Sequence, residues 1–274
     1  SASFVKHAAA QENPFITSEN IESISYTSEQ EYIREFGVSI NILPSGEMSI
    51  FERIEYDFGA TPKRGIYRTI PTRYESSFWN RRFIQIDVLE VRRDGDLEPY
   101  TIRSKRGEIL IRIGDPETYL SGTEVYEVLY IVRGGLTFFE TYDKFLWNVT
   151  PFDTTVPIER SFASIALPVH PQDTEARVSC FEGVVGSIDQ CDIQQDEKSF
   201  LFASRQAYNQ GEGLTLEIEF KKGIVKEPQD FAGILGYLGW YWPVFIPFTI
   251  FILIFFIWKR YGKDYPLEPV IALY

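Results

Sequence analysis

Histidine is the side chain that most often transfers protons near neutral pH, and this chain contains two, His7 and His170. A Ser-His-Asp arrangement would have to depend on His170, which is followed directly by Pro171. No Gly-x-Ser-x-Gly segment is present to hold a nucleophilic serine. The sequence therefore predicts no catalytic residue, and we expect that the protein is not an enzyme.

Metal and cofactor sites have equally weak signals. No paired Cys or His-x-x-x-His spacing offers zinc ligands, and no Gly-rich loop ends in Lys-Ser or Lys-Thr, so we predict no metal and no cofactor. Asp94, Asp96 and Glu98 around Gly95 could hold calcium, although a solvated hairpin turn explains the same residues. The 39 acidic residues leave paired carboxylates of the glycosidase kind open, because only spatial distances test them.

The chain has two cysteines, Cys180 and Cys191, and they flank a Gly-containing stretch. In an oxidising compartment such a pair closes a short loop as a disulfide, which is the arrangement we predict. Two unpaired thiols are the alternative, since spacing alone does not establish geometry.

Overall charge and composition exclude one class of partner. The 27 basic residues against 39 acidic ones give a formal net charge of -12, which repels polyanions and argues against nucleic-acid binding. The high aromatic share, 16%, is typical of β-strands and of the membrane interface.

One segment has the character of a transmembrane helix. No charged residue occurs from Phe231 to Trp258, and Val244–Ile257 is almost wholly apolar. Trp240 and Trp242 mark one end and Trp258 the other, so the two aromatic belts lie roughly 24–27 Å apart at about 1.5 Å per residue. That separation is near the thickness of a bilayer core, so the lipid bilayer is a predicted partner.

The charges that flank this segment predict its orientation. Lys259, Arg260 and Lys263 follow it, whereas the preceding flank mixes Lys226 with acidic residues. Because positive flanks stay cytoplasmic, we expect the long N-terminal part to lie outside the cytoplasm and the C-terminus inside.

Within residues 36–225 the dominant hydrophobic pattern has period two, which is typical of half-buried strands. Val38, Ile40 and Ile42 alternate with polar residues, a Pro-Ser-Gly turn follows, and the return run continues the alternation except at Glu52, so this pair predicts a hairpin. Further predicted strands are Phe83–Val91, Glu108–Ile113, Val125–Val132, Leu136–Phe139, Ser164–Leu167, Arg177–Phe181 and Leu214–Phe220. Outside the membrane segment, only the acidic stretch Ser28–Phe36 resembles a helical turn.

Three separated motifs resemble the DUF2207 family of predicted membrane proteins. They are Lys63-Arg64-Gly65-Ile66-Tyr67-Arg68-Thr69-Ile70-Pro71, Gly122-Thr123-Glu124-Val125-Tyr126-Glu127-Val128-Leu129-Tyr130 and Asp143-Lys144-Phe145-Leu146-Trp147-Asn148-Val149-Thr150. The resemblance spans about residues 36–270, and it departs from the family pattern at Pro151-Phe152-Asp153. It implies a leader, an outer β-domain and a membrane helix followed by more chain, and it implies no chemistry.

Two of these motifs supply weak candidate binding residues. Arg64, Tyr67 and Arg68 could form a face for an anionic partner, or they could serve a strand whose Ile66 and Ile70 face the core. Trp147 and Asn148 could likewise bind a partner, or be a buried anchor and a turn residue. Asn148 also begins an Asn-x-Thr glycosylation sequon, but a proline follows that sequon.

Together these patterns predict a mainly β fold, an antiparallel β-sandwich-like domain followed by one transmembrane α-helix. We expect a flexible segment or leader remnant over 1–35, a β-domain of one or two subdomains over 36–225, and a juxtamembrane segment over 226–239. The transmembrane helix is expected over 240–260, with the start of a cytoplasmic region over 261–274. The predicted function is an interaction or structural module of the cell envelope that contacts another envelope protein or another copy of itself; the alternative is a carbohydrate-active enzyme or a ligand-binding sensor outside the cytoplasm.

Overall fold

The computed structural model describes residues 30–75, 81–105, 107–227 and 231–262, and the side chains within these ranges except those of 73–75, 81–83 and 231–244. The described chain is mainly β, with several sheets and one α-helix. The leader remnant predicted within residues 1–29 lies outside the described residues, as does the cytoplasmic region predicted beyond residue 262.

The largest sheet has eight strands. In spatial order they are β15 (Asp192–Gln195), β16 (Ser199–Ala203), β13 (Ile158–Ala166), β1 (Tyr32–Ile42), β2 (Met48–Asp57), β10 (Thr123–Arg133), β6 (Gln85–Arg93) and β7 (Asp96–Leu97). β1 and β2 therefore occupy the middle of this sheet.

Three smaller sheets complete the β structure. The four-stranded sheet contains β11 (Leu136–Phe138), β12 (Tyr142–Asn148), β17 (Glu212–Lys221) and β14 (Arg177–Val184) in that order. The three-stranded sheet contains β3 (Ile66–Pro71), β9 (Glu108–Ile113) and β8 (Tyr100–Lys105), and a two-stranded sheet pairs β4 (Arg73–Glu75) with β5 (Arg81–Phe83).

The predicted hairpin is confirmed, and its first strand is longer than expected. β1 and β2 pair antiparallel around a turn in which Gly46 has a φ of 85°. β1 begins at Tyr32, so the helical turn predicted over Ser28–Phe36 is wrong for its described strand residues, and the β-domain starts before residue 36. A strand forms here and not a helix, because in the strand Ile33 and Phe36 are buried beside β2 and β13.

One strand pair departs from the predicted antiparallel arrangement. β1 pairs parallel with β13, in a register that sets Val38 beside Ala163 and Ile40 beside Ile165. Parallel neighbours need a long crossover connection, and here everything from β2 to β12 lies between them. Local alternation could not reveal this pairing, because it is set by residues far apart in the chain.

The sheets share one hydrophobic core. Buried side chains from the eight-stranded, four-stranded and three-stranded sheets belong to a single continuous cluster, represented by Ile40, Trp147 and Ile111. The strands up to Pro228 form one compact unit. A shared core of this kind is how layered β-proteins bury the apolar face of each sheet.

The helix α1 (Phe231–Tyr261) belongs to a second unit. Its side chains from Phe245 to Trp258 are exposed in the isolated chain. Across the described residues, no helix is both long and apolar enough to cross a membrane.

Candidate functional site

A short loop at the end of β14 is closed at its base by three contacts. The disulfide between Cys180 and Cys191 joins Cα atoms 5.6 Å apart, which confirms the predicted bridge. Glu182 and Asp189 form an isolated backbone bridge just inside it, and the Ser187 amide donates to the Val184 carbonyl at 2.9 Å. We call residues 183–190 the stapled loop, and its covalent base restricts the shapes that it can adopt.

The stapled loop displays apolar side chains to solvent. Val185 is 77% exposed and Ile188 is 84% exposed, and Val184 is also exposed. The polar side chains of the loop bond within it, since Ser187 Oγ donates to Asp189 Oδ2 at 3.1 Å. Single exposed apolar residues are ordinary, but several of them on one constrained loop are typical of an interaction site.

A pocket of about 110 Å³ lies beside the stapled loop. Asn148, Thr215 and Phe181 stand next to one another across β12, β17 and β14 and form one wall. The next residue pair on the same face of β14 and β17 is Gly183 with Gly213. Because neither glycine has a side chain, the floor of the pocket is formed by backbone. A Cβ on Gly213 would approach Thr150 Oγ1 to 2.5 Å, which shows how closely that floor is packed.

Glu182 is a buried carboxylate at the base of the stapled loop. Its Oε2 accepts hydrogen bonds from the Arg205 amide and the Tyr208 hydroxyl, both at 3.0 Å. Burial raises the pKa of the Glu182 carboxyl, and these two hydrogen bonds act in the opposite direction. Glu182 therefore ties β14 to the segment that precedes β17.

The side chains of Trp147 and Asn148 lie on opposite faces of β12. Trp147 is buried and stacks on Phe145, with ring centroids 5.9 Å apart, as expected of a core anchor. Asn148 lies on the opposite side of β12 and accepts a hydrogen bond from Thr215 Oγ1 at 3.0 Å in the wall of the pocket. Within its sequon, Thr150 is fully buried and accepts a hydrogen bond from the Leu214 amide.

The candidate binding residues Arg64, Tyr67 and Arg68 do not share one face. Tyr67 is 68% exposed, but Arg68 is 2% exposed and lies in the core. Strand side chains alternate between faces, so neighbours in β3 point to opposite sides. A buried Arg68 cannot offer its guanidinium to a partner. Ile66 and Ile70 are both buried, so the alternative interpretation, a strand whose isoleucines face the core, is confirmed.

Arg68 is instead half of a buried ion pair with Glu52. Its Nε and Nη2 donate to the two Glu52 carboxylate oxygens, each at 2.7 Å, and the Tyr130 hydroxyl donates to the same carboxylate at 2.6 Å. Arg68 Nη1 also donates to the Thr69 carbonyl. Burial acts to lower the pKa of Arg68, but attraction to Glu52 outweighs it and raises that pKa, so the guanidinium stays charged.

The possible calcium ligands occupy a hairpin turn. Asp94 and Gly95, both with positive φ, connect β6 to β7, and Asp94 Oδ1 accepts a hydrogen bond from the Val125 amide. Glu98 pairs with Arg93 at 3.0 Å. In the described ranges, no group of three or more metal-ligating side chains is arranged to hold an ion.

A protein-family model and a curated relative match this chain. The family model described as "Predicted membrane protein (DUF2207) N-terminal domain" matches residues 32–220. The uncharacterized protein YciQ of Escherichia coli (strain K12) is 29% identical over 134 residues, which is 48% of this chain and 21% of that protein. The chain thus spans about a fifth of the relative that it matches.

The solved structures that match this chain are distant from it. Leukotriene A4 hydrolase from Saccharomyces cerevisiae has a TM-score of 0.40 at 12% identity, covering 79% of this chain and 33% of that chain. The M1 zinc metallopeptidase from Deinococcus radiodurans has a TM-score of 0.38 at 9% identity, covering 69% and 42%. At these scores the likeness carries no argument about function.

Proposed function

We propose that this chain, which belongs to the DUF2207 family of predicted membrane proteins, is a membrane-anchored interaction module whose β-domain lies outside the cytoplasm. The observation that carries the proposal is the stapled loop, which holds Val184, Val185 and Ile188 in solvent beside a pocket. The partner is another protein of the cell envelope or a second copy of this chain.

Pre-organisation is the physical reason that the stapled loop suits binding. A flexible loop loses conformational freedom when it docks, whereas the disulfide and the Glu182–Asp189 bridge have already restricted this one. Apolar side chains at the centre of an interface, next to a pocket that a partner side chain can fill, supply most of the binding free energy in typical complexes.

The enzyme alternative fits this pocket less well. Glycosidase chemistry needs two carboxylates about 5–10 Å apart that converge on one cleft. Among the residues that line the pocket, Glu182 is the sole acid, and it already accepts two hydrogen bonds. The apolar rim and neutral polar wall instead support binding.

The membrane anchor is proposed from the sequence. The run from Phe231 to Trp258 has no charge, and it extends N-terminal to the side chains that the structure describes. Lys259, Arg260 and Lys263 follow the run and place its C-terminal end at the cytoplasmic face. The disulfide adds support, because such bridges persist in oxidising compartments.

Reporter fusions test this topology. A reporter fused after Phe220 is expected to read as extracytoplasmic, and one fused after Lys263 as cytoplasmic. Replacing Lys259, Arg260 and Lys263 together by glutamine should weaken the orientation, because those charges hold the inner flank. A cytoplasmic reading from the Phe220 fusion would contradict the proposal.

Substitutions in the stapled loop test the docking role. We expect the double variant Val185→Asp/Ile188→Asp to abolish a cross-linked complex that the unchanged protein forms in its native membrane, because charged side chains would be desolvated at the interface. The yield and composition of the complex would be measured by quantitative cross-linking and mass spectrometry. Leu97→Asp changes another exposed apolar residue and is the matched control.

A complex that persists in the loop variant, or that is lost equally in Leu97→Asp, would show that the stapled loop is not the docking site. If the complex contains only this chain, the partner is a second copy; if it contains a second protein, the partner is that protein.

A further inference from the structure

The outer face of the three-stranded sheet carries an unusual set of side chains. The inner face of this sheet is buried and contains Ile109, Ile111 and Ile113. On the outer face, Arg112 of β9 stands between Tyr67 of β3 and Thr101 of β8. Residues of β8 that share this side with Thr101 are Arg103 and Lys105.

Three cations on this face are close together. Arg103 and Arg112 are diagonal neighbours on adjacent strands, a relation that places residues about 7–8 Å apart. Lys105 follows Arg103 on the same side of β8, and both are exposed. We call Tyr67, Arg103, Lys105 and Arg112 the basic face.

Within the ranges that the structure describes, these cations have no close carboxylate partner. Among the described residues, neither Arg103 nor Arg112 forms an ion pair, and Lys105 reaches Glu108 only at 3.7 Å. Elsewhere in the domain many cations are closely paired, as Arg53 is with Glu35 at 3.0 Å. In a chain with net charge -12, two arginines that form no ion pair with the described residues mark a surface that suits an anionic partner.

Exposed aromatic rings accompany the charges. Tyr67 adjoins Arg112 across the sheet and is largely exposed. Just before β3, Arg64 stacks on the exposed ring of Tyr119 at 4.5 Å and donates to its hydroxyl at 2.6 Å. Arginine binds phosphate oxygens with paired donors, and tyrosine favours the level of lipid headgroups.

From these observations we infer that the basic face rests on the anionic lipid headgroups of the bilayer that holds the chain. This inference builds on the anchor of the proposed function, since a tether keeps the domain near the bilayer and lets weak contacts suffice. The chain as a whole is acidic and is repelled by the same lipids, so charge favours contact through this face. The contact therefore orients the β-domain on the membrane.

Hydrogen exchange on the full chain in lipid nanodiscs tests the inference. We expect amides of residues 100–113 to exchange several-fold more slowly in discs that contain phosphatidylglycerol than in discs of phosphatidylcholine alone. High salt should remove the difference, because it screens exposed charges. The double variant Arg103→Gln/Arg112→Gln should also remove it.

Matched controls distinguish this surface from general charge loss. The variant Arg160→Gln/Arg177→Gln removes two exposed arginines of other sheets and should keep the difference between lipids. Exchange in β1 and β2 reports whether each variant has folded, and the milder single variant Arg103→Gln should retain part of the effect.

Several results would overturn the inference. Equal exchange in both lipids, or equal loss in the control variant, would show that the basic face does not contact anionic headgroups. Protection of residues 100–113 by dissolved polyglutamate, without any effect of lipid, would assign the face to an acidic protein instead. Failure to enter either disc would contradict the anchor and with it this inference, whereas incorporated protein without lipid-dependent protection contradicts the basic face alone.

Discussion

Replacing Arg68 by methionine is expected to lower the free energy of unfolding by about 3–5 kcal/mol, because it leaves the Glu52 carboxylate buried without its positive partner. Glu52 is 0% exposed and receives two hydrogen bonds from Arg68, each at 2.7 Å. Only the Tyr130 hydroxyl would still donate to this carboxylate among the side-chain contacts described above. Urea denaturation followed by tryptophan fluorescence measures the loss.

Two controls show whether the uncompensated charge causes that loss. The double variant Glu52→Leu/Arg68→Met removes both charges and should be far less destabilised than Arg68→Met, because well-packed apolar residues can replace a buried pair at little cost. Arg53→Met breaks an ion pair with Glu35 in which the arginine is partly exposed, and it should cost less than about 1 kcal/mol. A loss for Arg68→Met no larger than that for Arg53→Met would refute the explanation.

Cys191→Ser is expected to destabilise the folded state by about 2–3 kcal/mol, because the bridge to Cys180 closes a short loop and limits the unfolded chain. The melting temperature should fall, and amides of the stapled loop should exchange faster. Membrane insertion should stay intact, since the apolar run Val244–Ile257 does not depend on that loop.

Chemical reduction supplies the control for this second prediction. Reduced unchanged protein and the double variant Cys180→Ala/Cys191→Ala should melt at similar, lower temperatures. Mass spectrometry after thiol blocking, without reduction, should find neither cysteine alkylated in protein taken from the membrane. Alkylation of both, or an unchanged melting temperature in Cys191→Ser, would contradict a stabilising bridge.

Strands with clear alternation could be predicted from the sequence. β9 matches its predicted limits, Glu108–Ile113, because isoleucine alternates there with polar or half-buried residues. β15 was not predicted, since its four residues are exposed, follow no hydrophobic pattern and are placed by pairing with β16. β8 was missed for the same reason, because its side chains are almost all exposed and its limits depend on pairing with β9.

The candidate site was predicted in part. Cys180, Cys191 and Asn148 lie at or beside it, but the apolar residues Val185 and Ile188 were missed although they lie between the cysteines in the sequence. Their exposure depends on how the loop folds, which composition alone does not reveal.

The sequence pattern around Glu52 and Arg68 indicates that both side chains face the core. Glu52 interrupts the apolar series of β2, and Arg68 lies between Ile66 and Ile70 in β3. Two opposite charges at inward positions of neighbouring patterns indicate a buried pair, because a lone buried charge is too costly. Applying the alternation of β3 strictly would have placed Arg68 inside and left Tyr67 outside.

The parallel pairing of β1 with β13 has a consequence for how the protein is made. Phe36 and Ser161, which share a hydrogen bond across this pair, are 125 positions apart. The ribosome synthesises the β1–β2 hairpin long before β13. During that time the amides and carbonyls along one edge of β1 have no β13 strand to pair with. Such an edge can recruit strands from other chains, and pairings this distant close slowly. Until β13 has been synthesised, the nascent chain therefore exposes an edge of β1 that is buried in the finished sheet.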